Sequence, residues 1–499
     1  MGESAVVIDG YSLTPEAVAA VAAGASARLA PVAAERMRAS AAVWAERGDP
    51  HLLRSKWSWL LGGDAPDGQR ALVTRFLVDH CAGVGPALPA AQVRALILCR
   101  ANVLAVGVSG VRPEVVERLL WMLDEGVHPV VPAHGAVGAA GSAALAHVAR
   151  VALGMGGACL DGEPAVPPLE VNENEALSLI NGSSLTTALA ALAVERSEQL
   201  LTTAEAACAL SMEVVRADRR CLDARAAAAR GHPGIVEVAA RLRQLTEGSE
   251  LVVDGRQPDA FCVRCAPTVL GSARDALAWV RQTVQRELNG AGDNPLVFDD
   301  GIVEAGHFHG APVALAVDTL KAALVQVASI AERRIFRLTY GQLSGLPSFL
   351  VPGTGANSGL MLAQYTAASL VAEARGRAVP GSVDSIPTVQ HHEDHVSMGP
   401  VAARTALEVV DLVADVVAIE LLAGAQGLDF RLAGEAVVDG ELVRVAPQQA
   451  GTGSRAVHDE VRRHVDRWLD DRVLHPDLAA LGAAVRAGRF AGPAVRGLR

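Results

Sequence analysis

Aromatic side chains are scarce in this 499-residue chain, where phenylalanine, tyrosine and tryptophan make up only 3% of the residues. Aliphatic side chains must therefore fill the core. With 51% hydrophobic and 20% charged residues, the composition is typical of a folded protein and excludes a disordered one. The length allows two or more domains, or one large fused helical unit.

Blocks of basic residues are also missing. The formal net charge is −11 and no stretch concentrates lysine or arginine, so we expect neither a nucleic-acid partner nor a membrane-surface partner. Residues 1–4 are not basic and no apolar signal region follows them. Polar residues interrupt every apolar run before it reaches the length of a membrane span. We therefore expect a cytoplasmic protein.

Cysteines are few and scattered. Of the seven, only Cys262 and Cys265 form a C-x-x-C pair, and no second pair completes a zinc set. The pattern predicts reduced thiols in a cytosolic protein and no metal site.

Helical periodicity dominates what is present. Residues 5–8 form a short strand candidate, and Thr14 and Pro15 are typical of a helix N-terminus, with Ala-rich helix predicted to about Glu46. From Leu189 to Leu210, apolar residues recur every three or four positions, which predicts a helix buried on most sides. The sequence therefore indicates a mainly α protein.

Several longer segments combine glycine, asparagine and charged residues in a distinctive order. These segments are residues 80–85, 177–182, 264–267, 306–310 and 391–399. Together they resemble the histidine/phenylalanine ammonia-lyase family over roughly residues 65–499. Glu393-Asp394-His395 is more similar to the histidine branch than to the phenylalanine branch.

The resemblance implies a mainly α fold with an ammonia-lyase-type central bundle of long helices and a small mixed N-terminal part. We predict an N-terminal part with site loops at residues 1–170, a central helical bundle at 171–440 and a C-terminal helical tail at 441–499. The resemblance also implies a homotetramer in which each pocket takes residues from several subunits.

The family's prosthetic group aligns with Ala139, Ala140 and Gly141. In the family, an Ala-Ser-Gly triad cyclises and dehydrates into the electrophile methylidene-imidazolone (MIO). The exocyclic methylene comes from loss of the serine hydroxyl, and the alanine at position 140 has no hydroxyl to lose. The degenerate triad therefore predicts that MIO is absent and that the chain has no cofactor.

The loop at residues 54–63 also departs from the family, whose catalytic base there is a tyrosine. Lys56 falls near the tyrosine position. A lysine in a dry pocket can have its pKa lowered far enough to act as a base or as a Schiff-base nucleophile. We therefore predict Lys56 as a catalytic residue.

Other site residues match the family. The resemblance implies that Asn181, Arg264 and Phe308 bind substrate, with the planar guanidinium clamping a carboxylate through two parallel donors. His80 and Glu393 match groups that contact the imidazole end or assist proton transfer. We predict catalytic acid/base roles for both, and for His392, which is a histidine gained beside the site.

Binding of a metal ion by the histidines that replace or join polar family residues near the site is the less favoured hypothesis. The Glu-Asp-His sequence also occurs in the family, whose members bind no metal there.

Three functions are compatible with these residues. The favoured hypothesis is an ammonia-lyase-like enzyme repurposed for MIO-independent lyase, addition or isomerisation chemistry on a small, amino-acid-like carboxylate. The alternative is a non-catalytic homologue that binds a ligand or serves as a scaffold. The third is ordinary histidine ammonia-lyase activity.

Overall fold

The computed structural model describes residues 5–55, 68–139, 141–160, 162, 165–255, 259–353, 355–438 and 441–491. The predicted mainly α architecture is confirmed. The helices are α1 (Pro15–Ala22), α2 (Pro31–Arg47), α3 (Gln69–Asp79), α4 (Ala90–Ala105), α5 (Pro113–Asp124), α6 (Ala143–Ala152), α7 (Glu173–Ile180), α8 (Ser184–Val215), α9 (Ala224–Arg230), α10 (Pro233–Leu245), α11 (Phe261–Arg264), α12 (Ala266–Leu288), α13 (Ala311–Thr339), α14 (Gly341–Ser344), α15 (Met361–Arg377), α16 (Gly399–Leu432), α17 (Thr452–Arg462) and α18 (His475–Arg486).

Strands are short and pair only two by two among the described residues. The first pair is parallel and the other three are antiparallel. The strands are β1 (Val6–Ile8), β2 (Ala27–Leu29), β3 (Val84–Ala87), β4 (Pro132–His134), β5 (Leu296–Phe298), β6 (Gly301–Val303), β7 (Glu435–Val438) and β8 (Glu441–Arg444).

The chain divides into two compact units. The first comprises Met1–Glu195, Val280–Asp318 and Pro380–Leu407, and the second comprises Arg196–Trp279, Thr319–Val379 and Glu408–Arg499. The three parts proposed from the sequence stay a prediction.

Local sequence signals explain how the first unit begins. Val6–Ile8 forms β1 as expected, and the Thr14 hydroxyl accepts a hydrogen bond from Ala17 N at 3.2 Å, capping α1 beside Pro15. The predicted continuous helix to Glu46 is wrong, because α1 ends at Ala22. Gly24 (φ +118°) then turns the chain into β2 before α2 begins.

Long aliphatic helices supply the core, as the lack of aromatics requires. The predicted helix at residues 189–210 lies inside α8 and is almost wholly buried. In the second unit, a buried ion pair joins Arg334 on α13 to Glu420 on α16, with Nε and Oε1 2.5 Å apart. Glu420 also accepts from Ser211 Oγ at 2.7 Å, so this carboxylate is well satisfied despite its burial.

Two stretches are long and apolar enough to cross a membrane, contrary to expectation. They are Glu173–Val215, 94% buried in its apolar window, and Ala311–Thr339, 61% buried. The core helices of soluble proteins pass the same test.

None of the seven cysteines forms a disulfide. Burial raises the pKa of Cys208 and of Cys221 to about 12, so these two thiols remain protonated at neutral pH.

Candidate active site

A short polar helix, α7, lies at the centre of the first unit, and all eight of its residues are buried. Its start is fixed by a capping box. The Asn172 side chain accepts from Glu175 N at 2.9 Å, and Glu175 Oε2 accepts from Asn172 N at 3.1 Å. Carboxylates in the first turn also face the positive end of the helix dipole.

The acidic side chains of this first turn hold distant segments. Glu173 Oε2 accepts from the backbone N of Leu53 at 2.7 Å. Glu175 binds Arg112 through two parallel hydrogen bonds of 2.7 and 2.8 Å. These carboxylates therefore anchor the chain just before the loop at residues 54–63 and at the start of α5.

The other end of α7 positions Asn181. Its Nδ2 donates to Asp293 Oδ1 and to Asn294 O, both at 2.9 Å. Asp293 in turn binds Arg100 at 2.9 Å, with the two side chains 0% and 1% exposed. Both amide protons are used, whereas Asn181 Oδ1 is buried and has no hydrogen-bond partner among the described residues. Asn181 can therefore offer a ligand only an acceptor.

The triad segment runs past the end of α7. Ser142 N donates to Ile180 O at 2.8 Å, and the Ser142 hydroxyl caps α6 by accepting from Leu145 N. Upstream, Gly138 O accepts from Gly310 N at 3.1 Å and from Ser397 Oγ at 2.7 Å. The backbone flanking the triad is therefore fixed on both sides.

His80 is placed directly beside this segment. Its Nδ1 lies 2.7 Å from Phe76 O, and because a carbonyl only accepts, Nδ1 carries the proton in this contact. A Cβ built on Gly141 would lie 3.1 Å from His80 Nε2. In the neutral imidazole, the nitrogen with the lone pair thus faces residue 141.

The 391–399 segment reaches the triad segment through its C-terminal half. Met398 N donates to Val137 O at 2.8 Å, while Glu393 accepts from Thr388 Oγ1 at 2.5 Å. His392 is exposed. Three consecutive residues before it, Val389 to His391, have φ between +45° and +69°, which is strained for side chains larger than glycine.

His309 and His395 form a further pair between the two site loops. His309 Nε2 lies 3.3 Å from both His395 O and His395 Nδ1, and the rings stack at 5.4 Å. Within the described ranges, no three histidine, cysteine or acidic side chains are grouped so as to hold a metal ion.

The remaining predicted residues are less closely grouped. Phe308 is half-buried in the first unit, two residues before Gly310. Arg264 is exposed at the end of α11, in the second unit. Lys56 and Ala140 lie outside the described residues.

Sequence reasoning missed one pair in this region. Ser183 Oγ donates to Glu287 Oε1 at 2.5 Å. Burial raises the pKa of Glu287, and the hydrogen bond from Ser183 only partly offsets that rise. Nothing in the sequence around Glu287 alone indicates chemistry.

The triad residues do not fit the family's route to MIO. Position 140 is alanine, and the nearest serine, Ser142, is engaged as a helix cap.

Comparison with known proteins overturns the favoured functional hypothesis. The chain is 42% identical to histidine ammonia-lyase of Anaeromyxobacter dehalogenans (97% of this chain, 99% of that protein). It is 40% identical to histidine ammonia-lyase of Chloroflexus aurantiacus (98% of both). The structure is similar to histidine ammonia-lyase of Trypanosoma cruzi (TM-score 0.88, 34% identity, covering 99% of this chain and 96% of that chain). It is also similar to tyrosine aminomutase of Streptomyces globisporus (TM-score 0.86, 32% identity, 99% of both).

Two predictions are contradicted by these likenesses. The repurposed, MIO-independent function is wrong, since relatives along nearly the whole chain are histidine ammonia-lyases. They also contradict the predicted absence of a cofactor, because such enzymes normally form MIO autocatalytically. The predicted absence of MIO rested on the alanine at position 140, and the predicted change of function rested on that alanine and on the missing tyrosine in the loop at residues 54–63.

A family model described as aromatic amino acid lyase matches residues 64–463, which is most of the chain. This match and the full-length relatives agree with the motifs read from the sequence. The chain therefore belongs to the aromatic amino acid lyase family of enzymes.

Proposed function

We propose that this chain is a histidine ammonia-lyase. In that reaction the Cα–N bond of histidine breaks, a β-proton leaves, and ammonia and an α,β-unsaturated acid are formed. The observation that carries the proposal is the 40–42% identity to histidine ammonia-lyases over nearly the whole chain.

Substrate binding is assigned to the residues that match the family. Arg264 clamps the carboxylate, because a guanidinium offers two parallel donors to two oxygens. Asn181 supplies an acceptor through Oδ1, and Phe308 packs on the ligand. Arg264→Ala is expected to abolish histidine binding in isothermal titration, whereas Arg225→Ala, which removes an exposed arginine of the same unit, leaves it unchanged.

Proton transfer is assigned to His80, Glu393 and His392, with Lys56 near the position of the family's tyrosine base. Removal of the β-proton needs a base within hydrogen-bond reach, and a histidine or a lysine with a lowered pKa serves near neutral pH. Lys56→Ala is expected to lower kcat by about 100-fold, the usual contribution of a positioned base. An unchanged kcat would show that Lys56 is not the catalytic base.

The homotetramer and the cytoplasmic location remain part of the proposal. Large apolar side chains are exposed on the single chain, among them Val383 (79%), Tyr365 and Ile386. Exposed apolar residues of this size favour burial against further copies of the chain. Seven free cysteines are typical of a reducing compartment.

The decisive experiment compares the wild-type protein with Ala140→Ser. Both are supplied with histidine, and ammonia and the ultraviolet absorbance of the conjugated product are followed. The wild type is expected to turn over, and the variant at least as fast, since it carries the family's triad serine. Turnover by the variant alone would contradict the proposal for the natural chain.

A further inference from the structure

Glu287 is buried in surroundings that disfavour the ionised form of its carboxyl group. Burial raises its pKa, and within the described part of the chain no cation is paired with it. A buried carboxyl group without a positive partner costs stability, and a leucine or glutamine there would avoid that cost. Acids kept in such surroundings are frequently functional.

Ser183, the hydrogen-bond partner of Glu287, lies close to residues that flank the triad. Ser183 lies where α7 passes into α8, and its hydroxyl donates to Glu287 Oε1 at 2.5 Å, within the range of hydroxyl-to-carboxylate bonds. A Cβ built on Gly310 would lie 3.1 Å from Ser183 Cβ and 3.3 Å from Gly138 O. Ser183 therefore packs against the residue whose N–H holds Gly138.

We propose that Glu287, acting through Ser183, is a positioning residue that fixes the contact between Gly310 and Gly138 beside the triad. The inference rests on the proposed function. An ionised carboxylate can only accept a hydrogen bond, so Ser183 must donate to it. The ionised form of Glu287 is therefore the form that fixes the Ser183 rotamer. The serine rotamer then holds Gly310 against Gly138 O.

The second unit contains a matched control. Ser249 Oγ donates to Glu213 Oε2, also at 2.5 Å, and burial raises the pKa of Glu213 as well. Glu213 differs because it also accepts from Gly451 N at 2.9 Å, and because a hydrogen bond with Ser454 and the charge of Arg219 further offset the rise in its pKa. The hydrogen bonds of Glu213 among the described residues go to partners other than Ser183, Gly310 and Gly138, so its serine–glutamate pair is a buried pair of the same type without the same role.

The test measures kcat and KM for histidine against pH in the full chain. Glu287→Gln and Ser183→Ala are expected to lower kcat about tenfold with KM unchanged, the effect of losing one charge-assisted hydrogen bond. Wild-type kcat should rise as pH passes upward through the raised pKa of Glu287, and Glu287→Gln should lack that limb. Glu213→Gln should keep the wild-type profile.

An unchanged pH profile in Glu287→Gln, or an equal kcat loss in Glu213→Gln, would overturn the proposal. Thermal unfolding supplies a readout that needs no turnover. At alkaline pH, Glu287→Gln should unfold at a higher temperature than the wild type, because an unpaired buried carboxylate is gone.

The double variant Ser183→Ala/Glu287→Gln should be non-additive in unfolding temperature, and additivity would deny the coupling. A wild type that leaves histidine unconverted defeats the proposed function, while this unfolding cycle still decides the coupling of the pair.

Discussion

At the scale of single residues, the candidate site depends on buried charges that are satisfied by specific partners. Arg100 illustrates this, because it binds Asp293 and the carbonyl oxygens of Ser178 and Asn181. A fully buried ion pair is costly to break, since the remaining charge has no water to solvate it. The orientation of Asn181 therefore depends in part on the Arg100–Asp293 pair, because Asn181 Nδ2 donates to Asp293 as well as to Asn294 O.

Arg100→Met is therefore expected to destabilise the fold by about 3–5 kcal/mol, the usual cost of leaving one buried charge unpaired. The measurement is chemical denaturation of the variant beside the wild type. Arg455→Gln, which breaks an exposed pair with Asp459, serves as the control and should change little. Equal effects of the two variants would contradict the role given to burial.

A second residue-scale prediction concerns acid stability. Burial tends to raise the pKa of Asp429, but hydrogen bonds and charge from His458 and Arg462 lower it below its usual value of 3.8. The stabilising effect is therefore complete above the unfolded pKa and is lost as pH falls through the folded pKa.

Asp429→Asn should accordingly lose stability at neutral pH and show a flatter decline in unfolding temperature towards acid. Asp300→Asn, at an exposed position, is the control. A variant whose acid decline matches the wild type would deny Asp429 this role.

At the scale of elements, the positions at which helices begin and end determine where the side chains of the candidate site lie. The sequence predicted the cap at Thr14 and the long helix in α8, because both signals are local. It could not predict that Ser183 meets Glu287, 104 residues away. It also placed α1 and α2 in one helix, because alanine-rich periodicity continues through the turn at Gly24.

Gly182, between α7 and α8, tests how tightly these elements are joined. It has φ +95°, and an added Cβ would lie 2.3 Å from Gly292 O. Gly231 has a similar φ of +80° but nothing within 4 Å. Both glycine-to-alanine changes incur about 1–2 kcal/mol of left-handed strain.

Gly182→Ala should cost more, because it adds a clash with backbone. Comparing the unfolding temperatures of the two variants isolates the clash from the strain. If Gly182→Ala is as stable as Gly231→Ala, the Gly292 backbone moves to accommodate the added Cβ at no measurable cost in stability.

At the scale of the whole molecule, long motifs indicated the family correctly, while the departures at Ala140 and in the loop at residues 54–63 suggested the wrong function. Motifs such as residues 391–399 are informative because many side chains and backbone turns must agree. Ala140 is a single position, whereas the match to the family extends over residues 64–463. Sequence could not show that Arg264 is exposed at the end of α11 either, since exposure depends on how distant segments pack.

Light scattering should give a mass of about four chains for the wild type, because association of the chains buries exposed apolar side chains. Val383→Asp and Ile386→Asp should shift the population towards smaller species, because a charge is costly in an apolar interface. A monomeric wild type would refute the assembly.

The contacts of α7 have a consequence for how the protein is synthesised. Its side chains and termini bind residues 53, 112, 142 and 293, so part of its environment is made early and part more than a hundred residues later. A chain still emerging from the ribosome before residue 293 has Arg100 and Asn181 without their aspartate. Completion of this polar centre must therefore wait until α12 and the segment after it have been translated.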